Sequence, residues 1–225
     1  MRKVDERSKE LVQDPLVKGM WCVPLHSNPS GVCYSDAVVD ALASMETAAD
    51  DFRIFWDNAY CVHHLVDNPP VQANLLEEAK KAGNEDICYM FASTSKITFP
   101  GAGVAAVAAS PANVAEIKGR MRAQAIGHDK LNQLRHVRFL KDATGVDALM
   151  KKHAAIIRPK FELVARMLEE GLRNEGIATW TNPMGGYFVS FDGLEGTAKR
   201  TVELAKKAGV TMTGAGATWP YKQDP

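Results

Sequence analysis

Apolar residues in the first half of the chain fall in short, nearly unbroken runs at 19–25, 52–56, 87–92 and 104–109. A run that is apolar throughout, rather than at alternate positions, suits a strand covered on both faces, as in parallel sheets. Helical patterns lie between the runs. Ser35 stands where a serine oxygen can accept from the first-turn N–H groups of a helix over 36–44. Positions 71–82 carry apolar groups at helical spacing and stop at Gly83, a common helix breaker. Pro111 suits the first turn of a helix beginning near Ala112. Runs alternating with helices predict an α/β protein with a mostly parallel sheet flanked by helices.

The pattern changes after about Lys141. Val146, Met150, Ala154, Ile157, Phe161, Val164, Leu168 and Leu172 recur every three or four positions, which predicts one long amphipathic helix over 145–174 or two joined at a bend. Pro159 falls inside it, and a proline costs ~3 kcal/mol in an unbroken helix, so a kink is expected there. Beyond it, 177–181 and 186–191 read as strands around a Pro-Met-Gly-Gly turn, followed by a helix over 197–208 and a short strand over 210–213. That order suggests a small α+β unit. The expected division is therefore 1–140 and 141–225.

Composition narrows the classes. Of 225 residues, 46% are apolar and 24% charged, as in ordinary globular chains. Lysine plus arginine equals aspartate plus glutamate at 27 each, so no general field draws nucleic acid or a membrane surface. No apolar run approaches the roughly 18–20 residues of a membrane helix. The charged run at 1–7 has no apolar stretch behind it, unlike a signal peptide. Cys22, Cys33, Cys61 and Cys88 lack zinc-ligand spacing, and free thiols in a cytoplasmic setting are expected.

Four signals stand at the expected strand ends, where open α/β sheets build their sites. Asn28-Pro29-Ser30-Gly31 is, on its own, a turn. Asp57-Asn58-Ala59-Tyr60 offers a carboxylate that caps the next turn or grips a protonated ring nitrogen, with Tyr60 near enough to reach a second ligand atom. Ser93-Thr94-Ser95-Lys96 crowds hydroxyls before a lysine, either a polar turn or a phosphate site beside a Schiff-base amine. Gly101-Ala102-Gly103 reads as a tight turn, and the adjacent His63 and His64 as turn or lining residues rather than metal ligands.

Together, Asn-Pro-x-Gly, Asp-x-x-Tyr and Ser-x-Ser-Lys, each after a buried strand, resemble the fold-type I aminotransferases, closest to the class I and II group of aspartate and alanine–glyoxylate-type enzymes. Pro183-Met184-Gly185-Gly186-Tyr187-Phe188 is similar to the segment that opens the small domain of that family, and Gly214-Ala215-Gly216 more loosely to a later one. The resemblance implies that 1–140 is the C-terminal half of a large cofactor-binding domain and 141–225 part of a small one. It also implies pyridoxal 5'-phosphate held by Lys96 as an internal aldimine, with an amino acid and a 2-oxo acid as substrates. Asp57 would meet the ring nitrogen, Tyr60 and Asn28 the ring oxygen, and Ser93 and Ser95 the phosphate. A homodimer follows from the same likeness.

The pattern departs from the family in three places. Val104 stands where relatives carry a phosphate-binding arginine, and Lys130 or Arg135 is a candidate to supply that charge. Relatives carry a long segment before the Asn-Pro turn, where this chain has 27 residues, and a substrate-binding arginine in a strand beyond its end. A truncated chain, weakly active or inactive, is the expectation. A β-lyase or decarboxylase on the same scaffold, a sensor domain, or a non-catalytic fragment remain as alternatives.

Overall fold

In the computed structural model, which describes residues 10–222, the four apolar runs form one sheet. Strands β1 (Gly19–Cys22), β2 (Arg53–Asp57) and β3 (Cys88–Ser93) are parallel neighbours, and β4 (Ala105–Ala109) closes the edge antiparallel to β3. The reversal at β4 has a local cause. A parallel return needs a crossover of a dozen or more residues, usually through a helix, and the stretch 94–104 is too short and holds none. The charged run at 1–7 lies outside the described residues.

Strand alternation sets Cys22, Ile54, Trp56 and Cys88 on one face, under helices α1 (Asp36–Ala43) and α2 (Leu75–Lys81). Val39, Leu42 and Leu75 close that core, each fully buried or nearly so, and such side chains contribute about 1.5–3 kcal/mol apiece. The opposite face carries a ladder of aromatic rings. Trp21 stacks on Phe55 at 5.6 Å and Phe55 on Phe91 at 6.3 Å, while Trp21 stays 65% exposed. Cover on both faces was expected from the strand pattern. Among the described residues only one face has it.

One cap and one helix start differ from expectation. Ser35 is the N-cap of α1 by position, but its hydroxyl makes no capping bond and is buried without a protein partner. The neighbouring Asp36 carboxylate instead accepts the Ala73 N–H at 2.9 Å, tying α1 to the entry of α2. The second helix begins at Leu75 rather than near Val71 because Asn74 caps it, accepting from the Leu76 N–H. Gly83 follows at a φ of +73°, as its role as terminator requires.

Helix α3 (Pro111–Gln124) carries Pro111 in its first turn and is capped by Ser110, whose hydroxyl also donates to Asp86. Helix α4 (Lys130–Leu140) leads to α5 (Ala143–Leu172), a single helix of 30 residues that runs through Pro159 without dividing into two. The second sheet pairs β5 (Ala178–Trp180) antiparallel with β6 (Phe191–Gly193), and α6 (Ala198–Lys207) follows. Its second strand starts at Phe191, later than the expected 186, where Gly186 instead takes a φ of +75° and donates its N–H to the His63 carbonyl. No strand forms over 210–213, where Val210 is 56% exposed.

Candidate functional site

The predicted site residues lie at the C-terminal ends of β1, β2 and β3, in the turns that leave the sheet. Asn28 sits in the turn after β1, closed by the Gly31 N–H on the Ser27 carbonyl at 2.6 Å; the Asn28–Pro29 peptide is cis. Gly31 adopts a φ of +69°, and a β-carbon there would stand 2.6 Å from the Phe188 carbonyl. The first strand's turn and the distant 183–188 segment therefore abut through a glycine.

Asp57 ends β2, and the next residue continues the ladder, the Asn58 N–H donating to the Phe91 carbonyl at 2.8 Å. Tyr60 is 3% exposed, with Tyr187 and Phe188 each edge-on to its ring at 6.0 Å. Burial raises its phenol pKa, a hydrogen bond with the Asn28 side chain draws it back, and the Asp57 and Tyr187 charges push it up again. The phenol thus stays protonated at neutral pH.

Ser93 closes β3, and its hydroxyl accepts from the Ser95 N–H at 3.4 Å. Lys96 projects its Nζ over the Tyr60 ring, 5.2 Å from the centroid. Tyr60, Ser95, Lys96, Thr98, Pro100, Tyr187 and Phe188 line a cleft of about 510 Å³. Gly103 lets the Gly101–Gly103 turn close on this loop, since a β-carbon there would meet the Ser95 hydroxyl at 2.8 Å. Of the predicted residues, Tyr60, Ser95 and Lys96 line the cleft directly, with Asn28 joined to it through Tyr60.

Sequence reasoning missed the groups that brace the Lys96 loop. His136 on α4 stands 3.0 Å from the Thr94 hydroxyl and 2.9 Å from that of Thr98, on either side of Lys96. Its Nδ1 lies 2.8 Å from the Asn132 carbonyl, so Nδ1 carries the proton and Nε2 accepts. Asn132 also donates to the Gly103 carbonyl at 3.1 Å. Lys130 and Arg135, the expected source of charge, stand exposed on that helix. Val104 contributes its main chain, donating to the Thr94 hydroxyl at 2.9 Å and accepting the Thr94 N–H. From the other side, His63 reaches the Lys96 carbonyl at 3.1 Å.

A buried histidine cluster lies alongside. His26, wholly buried, sits 3.0 Å from His64, and burial first, then the charges of His64 and His63, lower its pKa to about 4. Among the described residues no group of three or more potential ligands is placed to hold a metal ion. No helix of the described residues is long and apolar enough to cross a membrane.

Comparison with known proteins gives the family. The sequence model of the family described as aspartate amino-transferase matches residues 2–225. A Corynebacterium glutamicum aspartate aminotransferase is 48% identical over 217 residues, 96% of this chain and 50% of its own length. A Mycolicibacterium smegmatis protein named as an aminotransferase is 51% identical over 222 residues, 99% of this chain and 52% of its own. The crystal structure of an aspartate transaminase from Corynebacterium glutamicum superposes with a TM-score of 0.93 at 48% identity, over 98% of this chain and 52% of that one. The chain spans about half the length of the curated relatives it matches.

Proposed function

The chain belongs to the aspartate aminotransferase family, and on that premise we propose that it carries the lysine side of a pyridoxal-phosphate-dependent aminotransferase site. The observation that carries the reading is the Lys96 amine, held 5.2 Å over the Tyr60 ring in the cleft, where the turns after β2 and β3 meet Tyr187 and Phe188.

The donor set fits the cofactor. Lys96 would hold it covalently through Nζ and afterwards carry a proton to and from the substrate's α-carbon. The Asp57 carboxylate would keep a proton on the ring nitrogen. Tyr60, a phenol that burial makes still harder to ionise, would donate to the ring oxygen beside Asn28. The Ser93 and Ser95 hydroxyls would face the phosphate, with the Gly101–Gly103 turn packed behind Ser95. Pyridoxal phosphate, when bound, supplies the electron-accepting ring that makes proton loss at the α-carbon accessible.

In this reading, 1–140 is part of the cofactor-binding domain and 141–225 part of a smaller one. An amino acid donates nitrogen, a 2-oxo acid collects it, and the whole protein acts as a cytoplasmic homodimer. The first test adds pyridoxal phosphate, reduces with borohydride, and locates the labelled peptide by mass spectrometry. Label confined to Lys96 is expected. Label scattered over exposed lysines, or none, would overturn the assignment.

A further inference from the structure

His63 and His64 form an adjacent pair that the reading above leaves without a task, yet His63 lies against the main chain of Lys96. We propose that His63 is a positioning residue for Lys96, its Nε2–H fixing the lysine's carbonyl so that the amine springs from a set point beside Tyr60. The proposal rests on the assignment of Lys96 as the cofactor lysine.

Proton bookkeeping decides the ring's state. The His63 Nε2 stands 3.1 Å from the Lys96 carbonyl, an acceptor that carries no proton, so Nε2 must donate. In a neutral ring the proton is therefore on Nε2 and Nδ1 is bare. Nδ1 is buried without a well-formed hydrogen bond in the protein; the Tyr60 carbonyl, which takes the His63 main-chain N–H at 3.0 Å, lies near enough to draw the ring's pKa partly back up. His63, His64, Met150 and His153 help line a cavity of about 10 Å³, room for one water. Burial, the largest influence, lowers the His63 pKa, and the charges of His153 and Lys96 add to that against the hydrogen bonds, which favours the neutral donor at pH 7.

The ring itself is well held. Only 4% exposed, it meets Tyr60 edge-on at 5.7 Å and Tyr187 at 5.4 Å. The His63 carbonyl accepts the Gly186 N–H at 2.8 Å, and the Tyr187 hydroxyl reaches the same Lys96 carbonyl at 3.4 Å. The turn after β2, the Lys96 loop and the 183–188 segment thus converge on one carbonyl. Such bracing matters because a displacement of ~1 Å at a reacting group can cost on the order of a hundredfold in rate.

The test uses the intact protein, first without cofactor. Nitrogen-15 spectra of His63 should show the Nε2-protonated tautomer; the Nδ1-protonated form would overturn the proposal outright. His63→Phe keeps the ring's shape and edge contacts but removes the donor, and His63→Gln returns an N–H near the Nε2 position. The Ile97 and Thr98 amides bond to the Thr94 carbonyl at 2.9 and 2.8 Å and report on the loop. Their hydrogen exchange should quicken about fivefold in His63→Phe, the worth of one neutral hydrogen bond, and return to within about twofold of the parent in His63→Gln. Borohydride-trapped coupling of pyridoxal phosphate to Lys96 should follow the same order. Exchange and coupling unchanged in His63→Phe, or a His63→Gln as impaired as His63→Phe, would overturn it. If His63→Phe does not fold, the tautomer and the glutamine variant decide. A parent protein that never couples cofactor at Lys96 would refute the function proposed above, while the tautomer and exchange rates still judge the brace.

Discussion

Gly31 and Gly83 both hold a left-handed backbone, at φ of +69° and +73°, but in different surroundings. Around Gly83 a new β-carbon meets nothing within 4 Å, so Gly83→Ala adds backbone strain alone, about 1–2 kcal/mol. At Gly31 the same β-carbon would stand 2.6 Å from the Phe188 carbonyl and 2.9 Å from the Pro183 β-carbon. Both neighbours are close to the main chain and cannot swing aside, so overpacking adds about 1–3 kcal/mol to the strain. Gly31→Ala should therefore destabilise by about 2–5 kcal/mol, and the excess over Gly83→Ala measures the contact between the Asn28 turn and the 183–188 segment. Urea unfolding of the two variants and the parent reads this as a difference in midpoint at constant slope. The contact also carries Tyr187 and Phe188 onto Tyr60, so Gly31→Ala should lower coupling of pyridoxal phosphate at Lys96 while Gly83→Ala leaves it intact. Equal losses of stability in the two variants would mean that the turn and the segment do not abut, and the cleft described here would lose one wall.

The His26 pKa of about 4 lies below the unfolded value of about 6.5, so the unfolded chain binds the extra proton first. Its contribution, roughly 3 kcal/mol, is complete above pH ~6.5, falls as the pH drops, and is gone below about 4. Denaturation midpoints measured across that window should decline with acid, and His26→Asn should flatten the decline; an unchanged slope would show that His26 does not titrate on unfolding. His64 and His63 shift in the same direction, so part of the slope should persist. His136→Leu removes the acceptor of the Thr94 hydroxyl, while the Thr98 hydroxyl keeps the Thr94 carbonyl, and should destabilise by about 1–3 kcal/mol in urea unfolding, whereas a variant as stable as the parent would show that the helix α4 contact does not hold the loop.

Much of the sheet was legible because its signals are local. Runs such as 52–56 and 87–92 announce buried strands by composition, and Pro111 and Gly83 mark helix ends through their own backbone limits. The family likeness was also legible, since Asn28, Asp57, Tyr60, Ser93 and Lys96 each follow a recognisable strand at a recognisable interval. Direction was not. The alanine-rich run of β4 looks the same whether it runs parallel or antiparallel, and the brevity of the link before it decided the matter. The strand expected over 186–191 is displaced to Phe191–Gly193, and its expected start instead meets the turn after β2, the Gly186 N–H donating to the His63 carbonyl, a tertiary contact that no local pattern encodes.

The same distinction explains why the braces around Lys96 went unread. The resemblance rested on hydroxyls crowded before a lysine, and that spacing is visible in Ser93-Thr94-Ser95-Lys96. What fixes the loop comes from far along the chain: His63 precedes Lys96 by 33 positions and His136 follows Thr94 by 42. A lone histidine on a helix or in a turn has no periodicity to betray its partner. The departure at Val104 was visible, and it led toward a replacement cation on the helix that follows, Lys130 or Arg135. That helix does reach the loop, through an imidazole and an amide, with Lys130 and Arg135 exposed on it. Neutral donors and acceptors hold about half as strongly as charged ones, so a loop relying on them needs more of them. Val104 itself, with two main-chain bonds to Thr94, supplies part of that number, and His63 with Tyr187 supplies the rest from the opposite side.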